Sequence, residues 1–157
     1  MIYIYLSTVE DNIGSAAIRY YTNFPFSHVG FYDSEKKAFF SAQMNGGVKY
    51  RTLDGKDSDK ENFTSVKFLT SPHVEEAYAW ALTQAGKPYD KRDILGFVLD
   101  HDWRQTDKFI CSELVSLSFE KVNDPLLNPS IDVNKITPRD IALSLKVTPV
   151  DSPLETK

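Results

Sequence analysis

The chain has 157 residues, 41% of them hydrophobic, and its 18 Lys and Arg against 22 Asp and Glu give a formal net charge of −4. This length fits one domain over residues 1–157 that needs no structural metal, and a single cysteine excludes an internal disulfide. The acidic balance argues against nucleic-acid binding, and no apolar run approaches the ~18 residues of a membrane span. Without a signal-peptide pattern at its start, the protein is expected in a reducing cytoplasm, with no stable membrane insertion.

The first half of the chain predicts mainly strands. A short helix is expected at residues 12–23, and Gly46-Gly47 marks a turn between two of the strands. The charged run DGKDSDKEN at residues 54–62 indicates a solvated loop without function. β-branched and aromatic residues predict strands at 2–6, 28–32, 38–44, 48–53 and 65–70.

The second half predicts three helices and a last strand. Ser71-Pro72 is a typical helix start, with Ser71 as N-cap, and Gly86 lies just past the expected end. A second helix begins at Cys111, and Thr137-Pro138 starts a third, followed by a strand at 147–150. The apolar residues of the second helix at helical spacing are Leu114, Val115, Phe119 and Val122. We therefore expect an α+β domain with a central antiparallel sheet packed against helices.

Cys111 is the candidate nucleophile. At a helix start, unpaired backbone N–H groups and the helix dipole favour an anion, which lowers the pKa of a thiol and makes it more reactive. The same N–H groups can hold an oxyanion. The alternative is a buried cysteine that packs as a small hydrophobic side chain.

A cysteine nucleophile needs a base, and the chain has three histidines. His73 follows Pro72 in the first turn of a helix, where a solvent-facing side chain is expected. His101 lies between two aspartates, a trio without the second His or Cys that a zinc site would need nearby. We therefore expect no metal and no other cofactor.

His28 is the preferred base. It begins a predicted strand and shares one face of that strand with Gly30, which leaves room for a partner side chain. A histidine that is hydrogen-bonded near the core is the alternative.

Four segments together resemble the NlpC-type, papain-like cysteine peptidases. GKPYD (86–90) and KFICSELV (108–115) resemble the Pro-Tyr pair and the nucleophile helix of that family, and FSHVGFY (26–32) and AFFSAQMNGGV (38–48) resemble its histidine strand and the strand that follows. The histidine precedes the cysteine here, as in the circularly permuted branch, which includes single-domain bacterial and phage-borne members and the lecithin retinol acyltransferase-like proteins. TPRDIAL (137–143) resembles the closing helix of permuted members.

The resemblance implies a papain-like fold and assigns roles to residues. Cys111 matches the nucleophile, His28 the general base, Tyr89 the active-site tyrosine and Ser41 the third residue that orients the base. Gln43 shares the strand face of Ser41 and is the alternative third residue. A serine hydroxyl lacks a carboxylate's charge, so the helix N-terminus is expected to do most to stabilise the thiolate, with a thiol pKa of about 6 to 7.5.

The implied activity is acyl transfer by a thiol-dependent hydrolase. The implied substrate class is a small peptide or amide, such as a peptidoglycan stem peptide or an amino-acid amide. Two alternatives stay open: a lipid-acyl hydrolase or acyltransferase of the permuted branch, and a non-catalytic binding or virion-associated module.

Overall fold

A six-stranded antiparallel sheet dominates the computed structural model, which describes residues 1–9, 13–56, 59–89 and 110–154. The strands are β1 (Ile2–Thr8), β2 (His28–Asp33), β3 (Ala38–Gln43), β4 (Gly47–Arg51), β5 (Ser65–Thr70) and β6 (Thr148–Val150). Their order is β4-β3-β2-β1-β5-β6, so β2, β3 and β4 form a meander, while β1 joins that meander to β5.

The helices are short and lie between or after the strands. They are α1 (Ile13–Thr22), α2 (Val74–Leu82), α3 (Cys111–Lys121) and α4 (Pro138–Leu143), with a 3-10 turn at Val133–Lys135. Helices α2 and α3 contact each other, and α3 also packs on β2. The main core, which we call the helix-side core, lies between them and the sheet and includes Leu6, Val29, Phe31, Leu114 and Phe119.

The expectation of a papain-like α+β fold, with a central sheet packed against helices, is wrong. The structure is dominated by its sheet, and α2, α3 and α4 have only 9, 11 and 6 residues. Tight turns join β2, β3 and β4 in sequence, while β1 and β5 pair across more than fifty residues of chain and extend the sheet. The short helices cover one apolar face of this extended sheet.

Helix boundaries differ from prediction at α2 and agree at α4. Ser71 does not cap α2: its buried hydroxyl has no hydrogen-bond partner among the described residues, and its carbonyl accepts from Val74 N–H at 3.2 Å in a preceding turn. The helix ends at Leu82, well before Gly86. At α4 the predicted cap is confirmed, since the Thr137 hydroxyl accepts from the Asp140 N–H at 3.2 Å.

Strand alternation creates a second buried face, which we call the outer face. Its aromatic cluster is Tyr5, Tyr32, Phe39 and Phe68. The loop after β4 folds back beside the β3–β4 hairpin. Thr52 N–H donates to Asp59 O at 3.0 Å, and Glu61 N–H donates to Thr52 O at 2.9 Å. Glu61 is consequently only 1% exposed. The prediction of a solvated loop over 54–62 is wrong at this residue.

A buried arginine fastens the β3–β4 hairpin. Arg51 is 1% exposed. Its Nη1 donates to the carbonyls of Ser41 and Lys49 at 3.2 and 3.4 Å, and its Nη2 to those of Asn45 and Gly47, both at 3.0 Å. The guanidinium thereby satisfies carbonyls in both strands and in the turn between them.

Replacement of this arginine should cost far more stability than replacement of its neighbour on β4. Arg51→Met leaves several buried carbonyls without a donor, so we expect the free energy of unfolding to fall by about 3–5 kcal/mol in urea titrations. Lys49→Met removes the same charge, but it breaks a partly exposed ion pair with Asp59 at 2.6 Å and should cost under ~1 kcal/mol. Equal losses in the two variants would contradict a special role for Arg51.

Candidate active site

Cys111 is the first residue of α3, preceded by Ile110 in extended conformation (φ −91°, ψ 164°). Its side chain is buried with 4% exposure. The backbone N–H groups of Val29, Ser112 and Cys111 itself lie near the sulfur and act to lower the pKa of the thiol. Because Val29 follows His28 in β2, the packing of α3 on β2 brings the thiol to the start of the histidine strand.

Burial dominates the ionisation of this thiol. Loss of solvent raises the pKa of Cys111 to about 11, although the three N–H donors act in the opposite direction. The expected pKa of about 6 to 7.5 is therefore wrong for this structure. A helix N-terminus favours the thiolate, but desolvation outweighs it here.

His28 begins β2 and lies opposite Ser7 of β1. It is 8% exposed, and its Nε2 is buried with no hydrogen-bond partner among the described residues. The imidazole ring lies 5.8 Å from the ring of Tyr5, measured between centroids. Burial, and then the positive charge of Arg51, lower the pKa of His28 to about 3. The imidazole is therefore neutral at neutral pH.

Both candidates for the third residue lie on the outer face, anchored by other groups. The Ser41 hydroxyl accepts from the Tyr5 hydroxyl at 3.1 Å. Only a glycine fits between these side chains, since a Cβ on Gly30 would lie 2.6 Å from Ser41 Cβ and 2.7 Å from Tyr5 Cε1. Gln43 donates from its Nε2 to Glu61 Oε2 at 2.6 Å. The orientation of His28 by either residue stays a prediction.

The other residues singled out from the sequence have separate surroundings. Tyr89 is partly buried against the helix-side core, to which Cys111 also belongs. Two residues before Tyr89, the carbonyl of Lys87 accepts from Val48 N–H at 2.9 Å and so ties this segment to β4. His73 is exposed, with Nδ1 3.8 Å from a Glu76 oxygen. His101 and the aspartates beside it lie outside the described residues.

Sequence reasoning missed three members of this region: Tyr5, Arg51 and Glu61. Burial raises the pKa of Glu61 to about 7, while the charge of Arg51, the hydrogen bond from Gln43 and the nearby Tyr5 hydroxyl favour its ionised form. The sequence does contain one signal for Glu61, since Phe63 two residues later packs on the outer-face aromatic cluster. Because Phe63 packs on this buried face, Glu61 two residues before it is brought to the same face.

The comparisons with known proteins bear on the fold. No family model matches this chain, and a search of curated proteins gave no significant match. Among solved structures, the chain is similar to metalloprotein yiiX from Escherichia coli O157:H7, described as DUF1105. The similarity has a TM-score of 0.64 at 19% identity and covers 95% of this chain and 94% of that one. At this identity the likeness shows the fold alone, and it agrees with a sheet-dominated architecture.

The neighbour is described as a metalloprotein, which raises the question of a metal. Within the described ranges, no three His, Cys, Asp or Glu side chains lie close enough together to hold a metal ion. None of the helices in these ranges is long and apolar enough to cross a bilayer.

The reactivity of Cys111 should follow its raised pKa. Because the thiolate fraction is small near pH 7, we expect the second-order rate of alkylation by iodoacetamide to climb about tenfold per pH unit up to at least pH 9. Mass spectrometry after timed quenching measures the rate, and Cys111→Ala should take up no label because the chain has no other cysteine. A plateau reached below pH 8 would contradict the raised pKa.

His28 and Glu61 should have opposite effects on how stability changes with pH. Below pH 6.5 the unfolded chain binds a proton at His28, whereas the folded protein does not bind one there until about pH 3, so the contribution of His28 to stability falls as the pH drops. Folded Glu61 takes up its proton near pH 7 and unfolded Glu61 only near 4.5, so its contribution rises over that interval as the pH drops.

Urea titrations between pH 7.5 and 4.5 separate the two effects. Relative to wild type, His28→Gln should lose less stability as the pH falls and Glu61→Gln should lose more, each by roughly 1 kcal/mol per pH unit. Parallel curves for all three proteins would show that these groups titrate alike in the folded and unfolded states.

Proposed function

We propose that the protein is a thiol-dependent hydrolase in which Cys111 attacks the carbonyl of an amide and His28 is the general base. The observation that carries this proposal is the position of the thiol, at the N-terminus of α3 and within reach of three backbone N–H donors, beside the strand that begins with a buried histidine. Acyl transfer requires a nucleophile, a base and aligned amide dipoles. The thiol and the helix N-terminus support the first and third requirements, and the approach of His28 to the thiol is part of the proposal.

The reaction begins from an uncharged pair. With the pKa of Cys111 near 11 and that of His28 near 3, thiol and imidazole are both neutral at rest. The thiol proton therefore moves to the imidazole as sulfur bonds to the carbonyl carbon. Since Nε2 is the buried ring nitrogen, Nδ1 is the one left to take that proton.

The remaining steps balance this transfer. Backbone N–H groups at the start of α3 stabilise the oxyanion that forms as the carbonyl opens. The C–N bond then breaks, and the amine leaves with the proton held on His28. Water, activated by the neutral imidazole, attacks the thioester on Cys111, releases the carboxylic acid and restores the thiol.

The substrate class rests on the sequence resemblance. A peptidoglycan stem peptide or a related amino-acid amide is the first candidate, and a lipid ester the second. A reducing compartment such as the cytoplasm would keep Cys111 as a thiol. The burial of both site residues favours one further candidate, a binding module without catalysis, because a neutral buried thiol is also what an inert site presents.

Site variants assayed on a substrate panel test the proposal. The panel holds γ-glutamyl dipeptides, amino-acid amides and short- and long-chain acyl esters, with hydrolysis followed by mass spectrometry. Cys111→Ser and His28→Gln should each lower kcat/KM by about 10²–10⁴-fold. The control His73→Gln changes an exposed histidine and should stay within about twofold.

Trapping of the intermediate makes the test independent of turnover. Acid quenching during hydrolysis of the best substrate should give Cys111 an added mass equal to the acyl group. If wild type neither hydrolyses any member of the panel nor forms an acyl adduct, the hydrolase proposal fails and the binding module replaces it.

A further inference from the structure

Five side chains form one polar cluster on the outer face, next to His28: Tyr5, Ser41, Gln43, Arg51 and Glu61. Apart from Gln43, which is partly buried, all are fully buried. Within it, the Tyr5 hydroxyl donates to Ser41 at 3.1 Å and Gln43 Nε2 donates to Glu61 at 2.6 Å. The cluster comes from three strands, β1, β3 and β4, and from the loop after β4, so its position is set by the sheet itself.

The carboxylate of Glu61 decides which way the Gln43 amide is turned. An ionised carboxylate only accepts hydrogen bonds, so Gln43 must present its NH₂ group to Glu61. The amide oxygen Oε1 is then left to accept from another donor. A protonated or amidated residue at position 61 could donate instead, and both orientations of Gln43 would become available.

Tyr5 lies between Ser41, Glu61 and His28. Its hydroxyl donates to Ser41 at 3.1 Å and lies near Glu61, and its ring is 5.8 Å from the imidazole. The hydroxyl of Ser41 keeps a second lone pair for a further donor. The Nε2 of His28 is an unpartnered buried atom, which is a donor in one tautomer of the neutral ring and an acceptor in the other.

We propose that Glu61 is a positioning residue for His28. It orients Gln43 so that Gln43 Oε1, together with Ser41 Oγ, is an acceptor available to the Nε2–H of the imidazole. This selects the tautomer that leaves Nδ1 unprotonated for the thiol proton. The inference rests on the proposed hydrolase function for its kinetic consequences, but the tautomer itself does not require catalysis.

Charged and titratable groups around Glu61 define when it is ionised. Arg51 faces it from β4, Tyr5 from β1 and Asp59 lies in its own loop near Arg51, while His28 on β2 stays neutral. Together with burial they give Glu61 a pKa of about 7. The orienting carboxylate is therefore present above pH 7 and is lost as the pH falls through this value.

The test compares Glu61→Gln with Asp59→Asn, which makes the same change of charge in the same loop but at an exposed side chain. In Glu61→Gln we expect kcat to fall about 10–100-fold, KM to stay within about twofold, and the inflection near pH 7 in the kcat profile to vanish. Asp59→Asn should keep kcat within about twofold and retain the inflection.

Nitrogen NMR of the histidine rings gives a readout that a merely structural role would not move. At pH 8, wild type and Asp59→Asn should hold His28 as the Nε2–H tautomer, and Glu61→Gln should show a mixture of tautomers. Should Glu61→Gln fail to fold, Gln43→Leu breaks the same link at a partly exposed position and should produce the same mixture.

The outcomes separate the two proposals. If wild type is active and Glu61→Gln matches it in kcat, pH profile and tautomer, the role of Glu61 is wrong and the hydrolase stands. If wild type has no activity and forms no acyl adduct, the hydrolase fails, and the tautomer spectra alone decide whether Glu61 positions His28.

Discussion

The arrangement of the outer face depends on one buried cation. The guanidinium of Arg51 donates to carbonyls in β3, in β4 and in the turn between them, and thereby fixes the hairpin that carries Ser41 and Gln43. A buried charge is tolerated only where its donors are used and an opposite charge is near. The carbonyls supply the first condition, and Glu61 supplies the second. The loop after β4 that carries Glu61 therefore lies against the sheet and not in solvent.

The strands were predictable because their signals are local. Alternating apolar residues and short polar or glycine turns predicted β2, β3 and β4 to within about two residues. The fold class was not predictable in this way, because it is decided by non-local pairing. Residues 4–8 of β1 pair with 65–69 of β5, and β6 adds to β5 from the end of the chain. No local pattern states that six strands will join in one sheet and leave only short helices.

The site was partly visible in the sequence and partly hidden. With one cysteine and three histidines, residue type narrowed the choice to Cys111 and three possible bases, and its position at a strand start favoured His28. Their ionisation was hidden, because a helix start predicts a lowered thiol pKa, while the observed environment of Cys111 raises it through burial. Glu61 was hidden for a related reason: a charged run is solvated on average, but this residue returns to the sheet beside Phe63.

Arg51 affects the ionisation of both His28 and Glu61. Its positive charge lowers the pKa of His28 and opposes the rise in the pKa of Glu61, so it disfavours an imidazolium on one side and favours a carboxylate on the other. A thiolate–imidazolium pair would place a second cation near Arg51, in a site with little solvent to screen it. A neutral imidazole avoids that repulsion, and it still needs a fixed tautomer to act as a base. The hydrogen-bond acceptors that we propose select a tautomer lie on the hairpin that Arg51 holds, so the same cation that keeps His28 uncharged also keeps its candidate partners in place.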